Sequence, residues 1–141
     1  MKSIDQLVEH LYDSISFEKG EMPELEKLKE LFIPEGRLIN NSNEVPEIFT
    51  VDTFILAFRK QMEDGKIPSF EEKEISAHTD IFGTIAQRFS TYEARLDLKS
   101  TTPFAVGINS IQMIQTDGRW RISCMVWNQE TEELKVPKSY R

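Results

Sequence analysis

The chain has one cysteine and two histidines in 141 residues. Cys124 has no partner for an intrachain disulfide, which suits a reducing cytoplasm. His10 and His78, with no paired cysteines, leave no ligand set for structural zinc. No apolar run approaches the roughly 20 residues that cross a bilayer as a helix. The opening stretch MKSIDQLVEHLYDS carries acids where a secretory signal has its apolar core. Positive charge is also scarce: 17 Lys and Arg face 24 Asp and Glu, a net charge of −7. The basic residues are scattered among acids, so neither nucleic acid nor an anionic membrane surface is expected as a partner. Internal repeats, low-complexity linkers and cofactor motifs are absent as well.

What is present reads as one domain over 1–141, with a charged tail from about residue 131. The strongest local signal is a hairpin, GINSIQMIQTDGRWRISCMVWNQE, over 107–130. Its two runs flank Asp117-Gly118, a pair that supplies the positive φ angles of a tight two-residue turn. Thr116 then opposes Arg119, and period-two alternation assigns two faces. One holds Asn109, Ile111, Met113, Trp120, Ile122, Cys124 and Val126. The other holds Ile108, Ser110, Gln112, Ile114, Arg121, Ser123, Met125 and Trp127. Neither is plainly solvated, so both faces need cover.

Upstream the period changes to helical. Ile4, Leu7, Val8, Leu11 and Ile15 make one stripe over residues 3–17, with Ser3 and Gln6 placed as a capping box. A second helix begins at Pro23, buries Leu25, Leu28, Leu31 and Phe32, and breaks at Pro34-Glu35-Gly36. Arg37–Ile39 is expected as a short strand. A third helix over 51–64 is capped by Thr50, faces inward with Phe54, Ile55, Phe58 and Met62, and stops at Gly65. Residues 70–97 form a long hairpin turning near Phe82-Gly83, which sets His78 opposite Gln87. Helices first and an antiparallel sheet after them give an α+β domain.

This order, with Gly-Arg-Trp-Arg-Ile in the last strand and Val-Trp-Asn at its end, resembles the nuclear transport factor 2-like superfamily. The likeness is strongest to its ketosteroid isomerase and SnoaL-type polyketide cyclase branch. The resemblance implies a cystatin-like cone: N-terminal helices packed in a strongly curved antiparallel sheet, a pocket opening into the cone, and a homodimer through the sheet. It also implies a small-molecule pocket protein, lyase- or isomerase-like, for an unknown apolar ligand with a few polar groups. The alternative is a non-catalytic ligand-binding or dimerisation module, since this fold hosts both. Aligned from the turn glycine, the last strand puts Ser123, Met125 and Trp127 on the pocket side. The earlier hairpin puts Phe89, Thr91 and Glu93 there too.

The isomerase machinery does not carry over residue for residue. Its base position falls on Asn40, an amide that cannot abstract a proton. Its tyrosine falls near Leu11, with Tyr12 the nearest phenol, and its protonated aspartate falls near Gln112. The remaining catalytic candidates are His78 as acid/base and Glu93 as its orienter. Asn40 and Gln112 are candidate hydrogen-bond donors to the ligand, and Phe89, Met125 and Trp127 candidate walls. Glu71, Glu72 and Glu74 read as an exposed strand start without a histidine at ligand spacing. Cys124 reads as a buried apolar residue.

Overall fold

A computed structural model describes residues 3–141. Helix α1 runs Ile4–Ile15, α2 Leu28–Leu31 and α3 Val51–Glu63. The strands are β1 Phe32–Asn40, β2 Glu47–Thr50, β3 Glu71–Phe82, β4 Ile85–Arg95, β5 Ala105–Thr116 and β6 Arg119–Gln129. They form one curved, unclosed sheet in the order β2-β1-β6-β5-β4-β3. All neighbours are antiparallel except β1 and β6, which run parallel.

The helices form where their stripes demand it. Ile4, Leu7, Val8, Leu11 and Ile15 of α1 are all buried, and Tyr12 joins them. Ser3 caps α1 by accepting from the Gln6 amide at 3.3 Å. The reciprocal capping box is instead at α3. There Thr50 Oγ1 accepts from the Thr53 amide at 3.1 Å, and Thr53 Oγ1 accepts from the Thr50 amide at 2.8 Å. The expected second helix is cut short. One 3-10 turn at Leu25–Lys27 leads into the four residues of α2, and Phe32 already lies in β1. Pro34 is the physical cause, because a residue before proline is pushed out of the helical region into extended backbone. Pro34-Glu35-Gly36 therefore interrupts a strand, leaving Phe32 paired with Ile122 and Arg37 with Cys124.

The two long hairpins form with their turns at Gly83-Thr84 and Asp117-Gly118. Asp117 and Gly118 both have positive φ, 53° and 74°, and Thr116 opposes Arg119. Two bulges change the faces. In β6, Gln112 pairs with Cys124 and Met113 with Ile122, so Ser123 is an extra residue. An extra residue reverses the alternation beyond it. Trp120 and Ile122 therefore share the inner face with Met125 and Trp127. Cys124 and Val126 fall outside, and the division expected from unbroken alternation is corrected at Ser123. In β3, Glu74 pairs with Tyr92 and Ser76 with Thr91, so Ile75 is extra. Glu72 and Glu74 therefore lie on the opposite face from His78.

The inner face of β4 carries Ala86, Arg88, Ser90, Tyr92 and Ala94, all buried. In β5 it carries Asn109, Ile111 and Met113. Ile111, Met113 and Ile122, on the face opposite the expected pocket side, are core residues at 0%, 1% and 0% exposure. Phe89, Thr91 and Glu93 project from the outer face, not the inner one. The segment after β6 returns across that outer face. Thr91 Oγ1 donates to the Tyr140 carbonyl at 2.5 Å, and the Tyr140 ring lies 5.6 Å from that of Phe89. Val136 N–H donates to Glu130 at 2.8 Å.

Gly107 sits opposite Tyr92. A Cβ there would collide with the Asn128 carbonyl oxygen and lie 2.6 Å from the Tyr92 hydroxyl. Gly107→Ala is expected to destabilise the fold by about 1–3 kcal/mol, the usual cost of overpacking. An unchanged urea midpoint would show that this close approach does not exist.

Candidate functional site

The inner face ends in a cleft of about 220 Å³ between α1, α3 and the far ends of the strands. Its walls are largely aromatic. Trp127 and Phe54 have ring centroids 6.2 Å apart, Phe54 and Phe58 6.1 Å, Phe58 and Phe70 5.9 Å, and Phe70 and Phe104 6.3 Å. These five rings make a continuous arc of mostly edge-to-face contacts. Met125, Ile15 and Ala94 complete the apolar lining, and Glu72, Asn109 and Tyr92 supply the polar groups.

Why these side chains converge follows from the strands. Glu72 precedes the β3 bulge and pairs with Ala94, next to Tyr92 on β4. Asn109 lies in the inward row of β5 at 2% exposure. Its amide donates to the Tyr12 hydroxyl at 2.9 Å. The Tyr12 hydroxyl lies 2.6 Å from Ser90 Oγ. Ser90 donates to Glu74 at 2.5 Å. Arg88 in turn grips Glu74, through Nε at 3.0 Å and its terminal nitrogen at 2.5 Å, and reaches Asp5 at 2.7 Å. Since Ser90 spends its hydrogen on Glu74, Tyr12 donates to Ser90 and accepts from Asn109. Every hydrogen in the chain points toward the Glu74–Arg88 pair.

The two inward carboxylates of β3 differ sharply. Glu74 is ion-paired. Glu72 has no Lys, Arg or His nitrogen within 4.0 Å among the described residues. The Glu72 side chain is half-buried and lines the cleft. Burial pushes that carboxyl up to about 8, with the Asn109 amide pulling the other way. Burial likewise holds the phenols of Tyr12 and Tyr92 above their ordinary range, and the charge of Glu72 adds to both shifts.

The residues expected from sequence divide between two faces. Met125 and Trp127 line the cleft. His78 opposes Phe89, two residues on from the expected Gln87, and lies on the outer face with a side chain 66% exposed. Its nearest acid is Asp80 at 3.5 Å. Glu93 pairs with Arg95 at 3.1 Å, so His78 and Glu93 do not meet. Gln112 is exposed on the outer face, where its backbone carbonyl accepts from Ser123 at 3.2 Å. Asn40 organises the β1–β2 loop, donating to Glu47 at 3.3 Å and accepting from the Ser42 amide at 3.0 Å.

Phe89 lines a separate outer groove of about 300 Å³ beneath the returning C-terminal segment. That groove is roomier, but its carboxylate, Glu130, is already bonded to Val136 and Arg141. The inner cleft is the better candidate of the two because its lining combines a carboxyl whose pKa burial raises with a fixed donor, Asn109. Sequence reasoning passed over Glu72 and Asn109. Asn109 left a signal, a polar residue in the row of Ile111 and Met113. Glu72 left none, because its orientation depends on the bulge at Ile75.

No family model matches the sequence, and no curated protein matches it either. Solved structures do match in shape. A cystatin-like protein of unknown function from Nostoc punctiforme superposes with a TM-score of 0.72 at 11% identity, over 92% of this chain and 90% of that one. An uncharacterized cystatin-like protein from Caulobacter vibrioides gives 0.70 at 14%, over 94% and 90%. A nuclear transport factor 2-like protein of unknown function from Silicibacter pomeroyi gives 0.64 at 16%, over 90% and 92%. The fold is nuclear transport factor 2-like, or cystatin-like. At these identities the nuclear transport factor 2-like neighbours bear on architecture alone. Among the described residues no helix is long and apolar enough to cross a membrane.

Glu72 gives the cleft a signature in solution. Its folded carboxyl keeps a proton to higher pH than the ordinary 4.5, so the folded state binds more protons between 4.5 and about 8. The contribution of Glu72 to stability is therefore fully present below that window and is lost as pH rises through it. Glu72→Gln is expected to remove this fall and to exceed wild type at pH 9 by on the order of 2–4 kcal/mol, discounted for the partial accessibility of the side chain. Urea denaturation at pH 5 and pH 9 checks it. Parallel pH dependence in both proteins would mean Glu72 is an ordinary carboxylate.

Proposed function

We propose that the inner cleft is a small-molecule site in which Glu72 exchanges a proton with the bound ligand and Asn109 presents a fixed N–H to it. The observation that carries this reading is the uncompensated Glu72 carboxyl among aromatic walls. A catalytic acid or base works best with a pKa near the operating pH, and burial brings this carboxyl there. At neutrality it is mostly protonated and able to donate. The chemistry is that of a lyase or isomerase acting on a compact, mostly apolar ligand suited to about 220 Å³. Trp127 and Met125 keep the wall role expected from sequence. The acid/base role passes from His78 to Glu72, and the donor role from Asn40 and Gln112 to Asn109.

A fragment screen followed by two-dimensional NMR tests this. Ring-bearing fragments are expected to move the Trp127 indole N–H and the Asn109 side-chain amide together. A diverse screen in which no fragment moves either signal would sink the reading.

A second reading, association of two copies through the outer face, has its own support. Phe82 and Ile85 pair on that face at the end of the β3–β4 hairpin, at 84% and 57% exposure. Leaving such a patch in water costs roughly 25 cal/mol per Å². Sedimentation equilibrium is expected to show a dimer at micromolar concentration that Phe82→Glu converts to monomer. A wild-type monomer would remove this reading.

A further inference from the structure

The cleft combines two features that point to one class of ligand. Five aromatic residues, Trp127, Phe54, Phe58, Phe70 and Phe104, line the cleft as a continuous arc. Glu72 lines the same cleft and has no basic partner within 4.0 Å among the described residues. Aromatic faces carry negative charge density and attract organic ammonium groups, above all where water is excluded. Once ionised, such a carboxylate is stabilised by a cation, and none of the described residues supplies one. Glu74, two residues along the same strand, shows the contrast, since Arg88 neutralises it within the chain.

We propose that the cleft binds a small organic cation, an ammonium group held in the aromatic arc with Glu72 as its counter-ion. This rests on the reading of the cleft as a small-molecule site and names the ligand class for it. A neutral ligand bearing a carbonyl would use Asn109 but would leave the electrostatics of the aromatic arc idle. The overall charge of −7 acts in the same direction, raising the local concentration of cations and opposing anions.

The proposal carries a sign for pH. The titratable groups facing Glu72 are Tyr12 of α1 and Tyr92 of β4, both phenols held neutral by burial. From α3 come only Phe54 and Phe58, from β5 Asn109, and from β6 Met125, Trp127 and Gln129. Glu74 on β3 is already paired with Arg88, which also holds Asp5 of α1. A cation therefore selects the ionised form of Glu72 and expels its proton. With a carboxyl titrating near about 8, the ionised fraction rises roughly tenfold from pH 7 to pH 9. A neutral hydrogen-bonding ligand prefers the protonated form and weakens over the same range.

The test compares choline with 3,3-dimethyl-1-butanol, its uncharged isostere, by NMR titration of the whole chain at pH 7 and pH 9. Choline is expected to move the Trp127 indole signal, to bind more tightly than the isostere, and to gain about tenfold in affinity at the higher pH. Glu72→Gln is expected to abolish both the gain and the preference for charge. The wild-type comparison needs no variant, so a folding defect in Glu72→Gln would not blunt it. An isostere that binds as well as choline, or a choline affinity that is flat or falls with pH, overturns the cation while leaving a small-molecule site standing. If neither probe moves Trp127, while ring-bearing fragments do, the cation again fails and the site survives. If no small molecule of any kind moves it, both fall together.

Discussion

The buried guanidinium of Arg88 is the constraint around which the polar interior is arranged. At 5% exposure it must find anionic and polar partners inside the protein, since an unpaired buried charge costs several kcal/mol. It finds Glu74 and Thr79 on β3 and Asp5 on α1. That single group therefore ties the first helix to two strands. Glu74, held in this way, accepts from Ser90, which fixes Tyr12, which orients Asn109. The donor presented to the cleft thus depends on an ion pair outside it.

The helices and turns were readable because each is specified by neighbouring residues. The stripe of α1, the cap at Thr50 and the Asp117-Gly118 turn all act within a few positions. So did the general order of elements that resembles nuclear transport factor 2-like proteins. The misplaced end of the second helix also had a local cause in Pro34, whose effect on the preceding residue outweighed the apolar spacing of Leu28, Leu31 and Phe32.

The candidate site was much less legible. Its inward residues come from α1, α3, β3, β4, β5 and β6, and two bulges decide which way several of them point. A bulge costs one residue of register and has no strong residue signature, so strict alternation carried past Ser123 or Ile75 assigns the wrong face. The resemblance placed Met125 and Trp127 inward, and alternation then sent Trp120 and Ile122 outward; the bulge at Ser123 brings all four to one face. For Glu72 neither guide helped, because a carboxylate in a polar run reads as solvated until the strand is seen to bend.

The bulge in β6 also shapes how this cleft can change over evolutionary time. Met125 and Trp127 share the inner face with Ile122 across one unpaired residue. Swapping Ser123 for another small residue keeps that count. Losing the Ser123 codon alone would place Met125 two positions after Ile122, so plain alternation would keep Met125 and Trp127 inward and Cys124 and Val126 outward. The bulge residue is therefore free to vary in both identity and presence, and relatives that share this cleft should tolerate its loss better than the loss of a paired residue on either side of it.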